Sequence, residues 1–264
     1  MTLLLWSAGA ALAAVAALFA LLYWRQERLL FAPEKLAADF TVREPDVTEV
    51  AISVDGATLA ALHLRLPDPK GVVFFLHGNA GNLASWFVNV DFYRRANFDL
   101  FMIDYRGYGK STGRIDSEAQ LRRDVGAAWA HIAPLYRGRR AAILGRSLGT
   151  ALAAGLAAQV QPDLTILVSP YWSMAEMAAL HYPLVPAALL RYRLETHRDV
   201  ARIDGPVLLL HGDRDALIPY SHSERLSAVG RAAQLVRIPG AAHNDLQDFA
   251  VYLQAIAGRL AALR

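Results

Sequence analysis

The chain has 264 residues, of which 55% are apolar and 19% are charged, and it contains no cysteine. This apolar content excludes intrinsic disorder, and the lack of cysteine excludes a disulfide framework, a thiolate zinc site and a cysteine nucleophile. The formal net charge is only +3 and the basic residues are scattered, so we expect no nucleic-acid partner.

The first feature along the chain is an apolar segment at residues 3–24, which contains no charged residue. As a helix it would be about 33 Å long, enough for a hydrocarbon core of about 30 Å. We predict a single-pass membrane anchor at residues 1–26. Because Arg25, Arg28 and Lys35 follow it, we expect the rest of the chain on the cytoplasmic side. A cleaved signal peptide is the alternative, although the segment lacks a basic n-region.

Residues 27–264 read as one domain of alternating strands and helices. A two-residue turn, Asp55-Gly56, predicts a hairpin between strands at 47–54 and 58–66. Further strands are predicted at 72–76, 98–103, 141–144, 164–168, 207–210 and 234–238, and helices at 83–96, 117–132, 148–159, 221–229 and 245–262. The later strands are continuously apolar, as is typical of parallel strands buried on both faces. The prediction is an α/β fold with a mostly parallel sheet, an N-terminal antiparallel hairpin and helices on both faces.

The interval 170–204 is too long for an ordinary connection in such a fold. It is rich in large apolar side chains, including Trp172, Met177 and Leu184. We predict a small helical cap over one end of the sheet, with these three residues binding substrate. The alternative is an additional helical pair that packs as ordinary core.

Two segments match the G-x-S-x-G motif of a nucleophile elbow, and their contexts differ. Residues 145–149 follow a predicted strand and begin a helix, as the motif requires, so Ser147 is the candidate nucleophile. Residues 109–113 lie in a loop. That loop also imitates the end of a phosphate-binding motif, but Asp104 stands where the first glycine would be, so we do not expect nucleotide binding.

A serine nucleophile needs a base and a carboxylate that orients the base. His243 follows the last predicted strand, and Asp215 follows the strand at 207–210. The chain order Ser147, Asp215, His243 and the position of all three after strands favour them as a catalytic triad. Asp213 is the alternative acid.

The tetrahedral intermediate of such a reaction also needs two backbone N–H donors. Leu148, the residue after the candidate nucleophile, is expected to supply one. The glycine-rich loop at residues 77–82 is expected to supply the other from Asn79, with Ala80 as the alternative.

Four motifs in this order resemble the α/β-hydrolase superfamily, and more narrowly the bud-emergence-type serine hydrolases, many of which carry an N-terminal membrane anchor. The motifs are His77-Gly78-Asn79-Ala80-Gly81-Asn82, Asp104-Tyr105-Arg106-Gly107-Tyr108-Gly109-Lys110-Ser111, Gly145-Arg146-Ser147-Leu148-Gly149 and His211-Gly212-Asp213-Arg214-Asp215. The resemblance covers about residues 27–262. It implies catalytic Ser147, Asp215 and His243, and esterase, lipase or thioesterase activity without a metal or cofactor. It also implies that residues 104–111 shape a loop beside the site.

The sequence therefore predicts a serine hydrolase that cleaves a small-molecule or lipid acyl ester near a membrane. A serine peptidase or amidase on the same fold and a non-catalytic membrane scaffold remain as alternatives. Related enzymes with an aspartate nucleophile are set aside, because residue 147 is serine. The sequence does not specify an oligomeric state.

Overall fold

The computed structural model describes the backbone of residues 2–263 and the side chains of residues 6, 7 and 9–263. The strands are β1 (Ala32–Pro33), β2 (Val47–Val54), β3 (Ala57–Leu64), β4 (Gly71–Leu76), β5 (Ala80–Gly81), β6 (Phe98–Ile103), β7 (Arg140–Arg146), β8 (Leu164–Val168), β9 (Val207–Gly212) and β10 (Ala233–Ile238). The α-helices are α1 (Thr2–Trp24), α2 (Gln26–Leu30), α3 (Leu83–Trp86), α4 (Val90–Ala96), α5 (Glu118–Ile132), α6 (Gly149–Val160), α7 (Met174–His181), α8 (Thr196–Val200), α9 (Ser221–Val229) and α10 (Ala250–Ala262).

Eight of the strands form one sheet in the order β10-β9-β8-β7-β4-β6-β3-β2. The β3 strand is antiparallel to β2 and to β6, and every other pair is parallel. The strand order reverses at β4, which lies between β6 and β7. Ligands bind at such switch points, outside the carboxyl ends of the parallel strands. The predicted fold, a mostly parallel sheet that begins with an antiparallel hairpin, is therefore confirmed.

The core has two layers because β4, β6, β8 and β9 are buried along their whole length. Side chains of α5, α6 and α9 pack on one face of the sheet, and those of α4 and α10 pack on the other. Continuous apolar runs in the sequence therefore correspond to strands covered on both faces.

Two predicted helices are divided in the structure. The interval 83–96 contains α3 and α4, separated by Asn89, whose φ of 58° lies in the left-handed region. Asparagine tolerates this conformation better than most residues, which explains the break. The interval 245–262 contains a 3₁₀ turn, Leu246–Asp248, followed by α10.

The predicted membrane anchor coincides with α1. Within the described part of the chain, no helix combines the length and the apolar character needed to cross a membrane. The prediction of a transmembrane helix is therefore not supported. The side chains of residues 1–5 and of Ala8, which the prediction included in part, lie outside the described residues.

The insertion (residues 170–204) contains α7, a 3₁₀ turn at Ala187–Leu189, and α8. Its two halves pack differently. Tyr192, Leu194 and Val200 are fully buried in the core cluster that includes α6. Tyr182 and Leu184 in the first half are exposed. The second half of the insertion therefore packs into the core, and the first half includes side chains that face solvent.

Candidate active site

The turn between β7 and α6 places Ser147 above the carboxyl end of the sheet. Ser147 has a φ of 52°, an unusual conformation for a residue with a side chain. Its backbone N–H donates to Val168 O on the neighbouring strand at 2.9 Å. A Cβ at Gly145 would lie 2.5 Å from Gly149 O, and a Cβ at Gly149 would lie 2.1 Å from Leu76 O. Glycine at both positions therefore lets the strand and the helix approach closely enough for this turn.

We expect Gly149→Ala to lower the free energy of unfolding by about 3 kcal/mol, at the upper end of overpacking effects, because the added methyl group meets backbone that cannot move aside. Urea denaturation followed by circular dichroism measures this change. Gly126→Ala in α5 is the matched control, because a Cβ there meets no atom within 4 Å. Gly126→Ala is expected to stabilise the helix by about 1 kcal/mol. Equal stability of the two variants would contradict the close approach at Gly149.

Ser147, His243 and Asp215 meet although 28 to 96 residues separate them along the chain. His243 Nε2 lies 3.0 Å from Ser147 Oγ. His243 Nδ1 lies 2.7 Å from Asp215 Oδ2. Because an ionised carboxylate only accepts hydrogen bonds, Nδ1 carries the proton and Nε2 is free to accept the serine proton. The chain of hydrogen bonds has the geometry of an activated nucleophile.

Asp215 is held as an anion in a buried position. Burial alone would raise its pKa, but hydrogen bonds from His211, His243 and the Ile218 N–H outweigh burial and hold the pKa well below its usual range. Its Oδ1 accepts from Ile218 N at 2.8 Å and from Leu217 N at 3.0 Å. The carboxylate is therefore charged at neutral pH and cannot rotate away from His243.

His211 is buried beneath Asp215. Its Nδ1 lies 2.6 Å from Ser223 Oγ, and its Nε2 lies 2.9 Å from Ile218 O and 3.3 Å from Asp215 Oδ2. These contacts fix the loop that carries Asp215.

Asp213, the alternative acid, has a different set of partners. It pairs with Arg237 at 2.6 Å and accepts from Gly240 N at 2.7 Å. These bonds tie the loop after β9 to the turn after β10. Asp213 therefore lies outside the chain of hydrogen bonds to Ser147.

The loop at residues 77–82 lies beside Ser147. Asn79 O accepts from Ala32 N at 2.9 Å and from the Tyr108 hydroxyl at 2.6 Å. These two bonds fix the orientation of the Asn79 carbonyl, which belongs to the same planar peptide group as the Ala80 N–H. Asn79 and Leu148 both line the cavity that contains Ser147.

The loop at residues 104–111 contacts the loop at residues 77–82 and the start of α3. Asp104 Oδ1 accepts from Leu83 N at 3.0 Å and lies 3.4 Å from His77 Nε2. The Ser111 hydroxyl donates to Asp104 O at 2.7 Å. Ser111 is fully buried, so the second G-x-S-x-G segment presents no serine to a substrate.

Sequence reasoning missed Arg146, which contacts both the loop of His243 and Trp86 at the end of α3. Its guanidinium donates to His243 O at 3.3 Å and lies over the Trp86 ring, 5.5 Å from the centroid. Trp86 Nε1 in turn donates to Ala80 O at 2.6 Å. The only signal in the sequence was the position of Arg146 in the elbow motif.

Ser147 opens into a cavity of about 580 Å³, called here the Ser147 cavity. Its lining is mostly apolar and includes Met177 of the insertion. Trp172 and Leu184, which were also predicted to bind substrate, are not among the residues that line it. Trp172 stacks on His197 within the insertion, with ring centroids 4.5 Å apart, and Leu184 is 87% exposed.

Among the side chains that the structure describes, no group of three or more histidine, aspartate or glutamate residues is arranged to hold a metal ion.

The chain is similar to known proteins in both sequence and structure. Residues 67–194 match the family model described as serine aminopeptidase, S33. The α/β-hydrolase domain-containing protein 17B of Xenopus tropicalis is 30% identical, over 86% of this chain and 80% of that protein. An uncharacterized protein of Mycobacterium tuberculosis is 34% identical, over 88% of this chain and 86% of that one.

Two solved structures have a similar fold. An esterase of Pyrococcus furiosus superposes with a TM-score of 0.70 at 17% identity, covering 89% of this chain and 98% of that one. Est1E of Butyrivibrio proteoclasticus, solved with ferulic acid, gives 0.65 at 20% identity, covering 80% and 96%. The sequence matches and the shared fold together establish that this chain belongs to the α/β-hydrolase family.

Proposed function

We propose that the protein is a serine hydrolase that cleaves esters with an apolar acyl chain. The observation that carries this proposal is the chain of hydrogen bonds from Ser147 Oγ through His243 to Asp215, with distances of 3.0 and 2.7 Å. Ser147, at one end of this chain of hydrogen bonds, opens into an apolar cavity.

The reaction follows from this geometry in two steps. His243 Nε2 takes the proton of Ser147 as Oγ attacks the ester carbonyl carbon, and the backbone N–H groups of Asn79 and Leu148 stabilise the resulting oxyanion. The carbonyl re-forms, the ester C–O bond breaks, and the imidazolium gives its proton to the leaving alcohol. Water activated by the same imidazole then hydrolyses the acyl-enzyme, which releases the acid and restores Ser147.

The lining of the Ser147 cavity supports an apolar acyl group. Met174, Met177 and Leu189 face it from the insertion, together with Leu217 and Ile218. Each methylene that leaves water for such a surface gains about 0.8 kcal/mol. We therefore expect octanoyl esters to be hydrolysed with a higher kcat/KM than acetyl esters.

An aminopeptidase is the second candidate, because the matched family model carries that description. Binding of a free α-amino group calls for a carboxylate near the scissile bond. None of the described residues that line the Ser147 cavity is acidic. We therefore favour an ester, and expect p-nitrophenyl octanoate to be cleaved and leucine p-nitroanilide to remain intact. Faster cleavage of the anilide would favour the aminopeptidase.

Labelling with a fluorophosphonate probe tests the serine mechanism. We expect the purified protein to be labelled and Ser147→Ala to remain unlabelled, because only an activated serine attacks phosphorus at a useful rate. Ser53→Ala, at an exposed serine on β2, is the matched control and should retain full labelling. Absence of labelling in the unmodified protein would favour the non-catalytic scaffold.

A further inference from the structure

We propose that the N-terminal segment (residues 22–30) is a wall of the substrate site, and that Gln26 is the positioning residue that fixes this wall on the insertion. The inference rests on the proposed function, since it assigns selectivity for acyl chain length to the same site. Nothing in the motifs around Ser147 points to this segment, which precedes the first strand of the main sheet.

The Ser147 cavity lies between two walls. The N-terminal segment provides one of them, through the side chains of Leu22, Tyr23, Gln26, Leu29 and Leu30. The insertion provides the facing wall, through Met174, Met177, Ala178, His181, Tyr182, Val185, Leu189 and Leu190. Ser147 and Leu148 lie in the same lining. An acyl chain attached to Ser147 would therefore extend between the two walls.

Gln26 joins the two walls through both ends of its amide. Its Nε2 donates to Leu189 O at 2.5 Å, and its Oε1 accepts from Arg191 N at 2.9 Å. The side chain is buried, with only 6% of the residue exposed. A buried amide that lost these partners would be left without hydrogen bonds, so the bound position of the segment is strongly favoured. Alanine at this position removes both bonds.

The neighbouring residues strengthen the same junction. Glu27 Oε1 accepts from the Tyr192 hydroxyl at 2.9 Å and pairs with Arg191 Nη1 at 2.7 Å. The Arg191 guanidinium lies over the Tyr23 ring, 5.6 Å from its centroid. Phe31 meets Tyr192 edge to face at 5.2 Å. The N-terminal segment is therefore docked by polar and aromatic contacts on both sides of Gln26.

The end of the segment continues into the loop of the predicted oxyanion donor. After Leu30, β1 pairs with β5, and Ala32 N donates to Asn79 O. A general disturbance of this region would displace Asn79 and slow the reaction for every ester. Loss of the wall alone would slow hydrolysis only of esters whose acyl chains are long enough to reach it. The dependence on chain length separates these two effects.

The test compares p-nitrophenyl acetate with p-nitrophenyl octanoate on the full-length chain. In Gln26→Ala we expect kcat/KM for the octanoate to fall by about 15-fold, as if two methylenes lost their contact at about fourfold each. The change should appear mainly in KM, and the acetate should be unaffected. Gln254→Ala, at an exposed glutamine of α10, is the matched control and should leave both esters unchanged.

Leu22→Trp provides an independent variant that leaves the Gln26 hydrogen bonds intact. Its larger side chain would fill part of the cavity, so hydrolysis of the octanoate should fall while hydrolysis of the acetate persists. The fluorophosphonate labelling of each variant confirms that Ser147 and His243 remain assembled.

Three outcomes would overturn the inference. In the first, Gln26→Ala loses activity equally toward both esters and Leu22→Trp keeps its normal preference for the octanoate. This would show that the segment stabilises the fold and does not contact the acyl chain. Unchanged kinetics in both variants would place the segment outside the site. An unmodified protein that hydrolyses neither ester and resists the fluorophosphonate would overturn the proposed function itself, and this inference with it.

Discussion

Replacement of His243 by alanine is expected to lower kcat for ester hydrolysis by about 10⁶-fold, the loss typical of removing the base of a serine triad. The reason is the geometry around Ser147. His243 Nε2 is the group that lies 3.0 Å from the hydroxyl, and a serine hydroxyl without a base is a poor nucleophile. A residual rate above that of water should remain, because the backbone donors of Asn79 and Leu148 are unaffected.

Steady-state kinetics on p-nitrophenyl octanoate measure this loss. His131→Ala is the matched control, because His131 is exposed on α5 and has no contact with the Ser147 cavity. It should retain the full rate. If His243→Ala kept a tenth or more of the activity, His243 could not be the base.

Asp215→Asn is expected to lower kcat by about 10⁴-fold while the fold is preserved, as for the equivalent change in other serine triads. Asparagine has nearly the shape of aspartate but no charge. It would present an amide N–H or a weaker acceptor to His243 Nδ1, which favours the wrong tautomer and leaves the imidazolium without its counter-charge. The low pKa of Asp215 means that the charge is present throughout the neutral range.

Asp213→Asn is the matched control for this change, because it alters the same loop by the same chemistry. Its bonds to Arg237 and Gly240 hold the loop, but none of them reaches His243. We therefore expect a much smaller loss of kcat in Asp213→Asn than in Asp215→Asn. The opposite order would exchange the roles of the two carboxylates.

The strands and the elbow could be predicted because their signals are local. A strand buried on both faces must be apolar along its length, so β6 and β8 were predicted with the bounds that the structure has. The elbow needs glycine at 145 and 149, since a Cβ at either position would meet backbone. Such requirements leave a pattern within a few residues.

Helix ends and membrane character were predicted less well. The interval 83–96 reads as one helix because the left-handed conformation of Asn89 is compatible with asparagine but not required by it. The segment 3–24 is uncharged, yet no helix among the described residues is both long and apolar enough to cross a membrane.

The residues that line the Ser147 cavity could not be predicted in the same way, because contacts between distant residues bring them together. Trp172 and Leu184 have the composition of an acyl pocket but lie outside the Ser147 cavity. Gln26, a polar residue with no motif, meets residues 163 and 165 positions away. Its partners are backbone groups, which every residue has, so no feature of the sequence could have identified them.

By itself, the sequence determined the fold class, the elbow and the chain order of Ser147, Asp215 and His243, because strand burial and the strained turn restrict residue types locally. Only the tertiary structure decided which carboxylate faces His243 and which apolar residues surround Ser147. Those choices depend on how loops and helices pack across the sheet, where each side chain's partners are set by position in space and not by spacing along the chain.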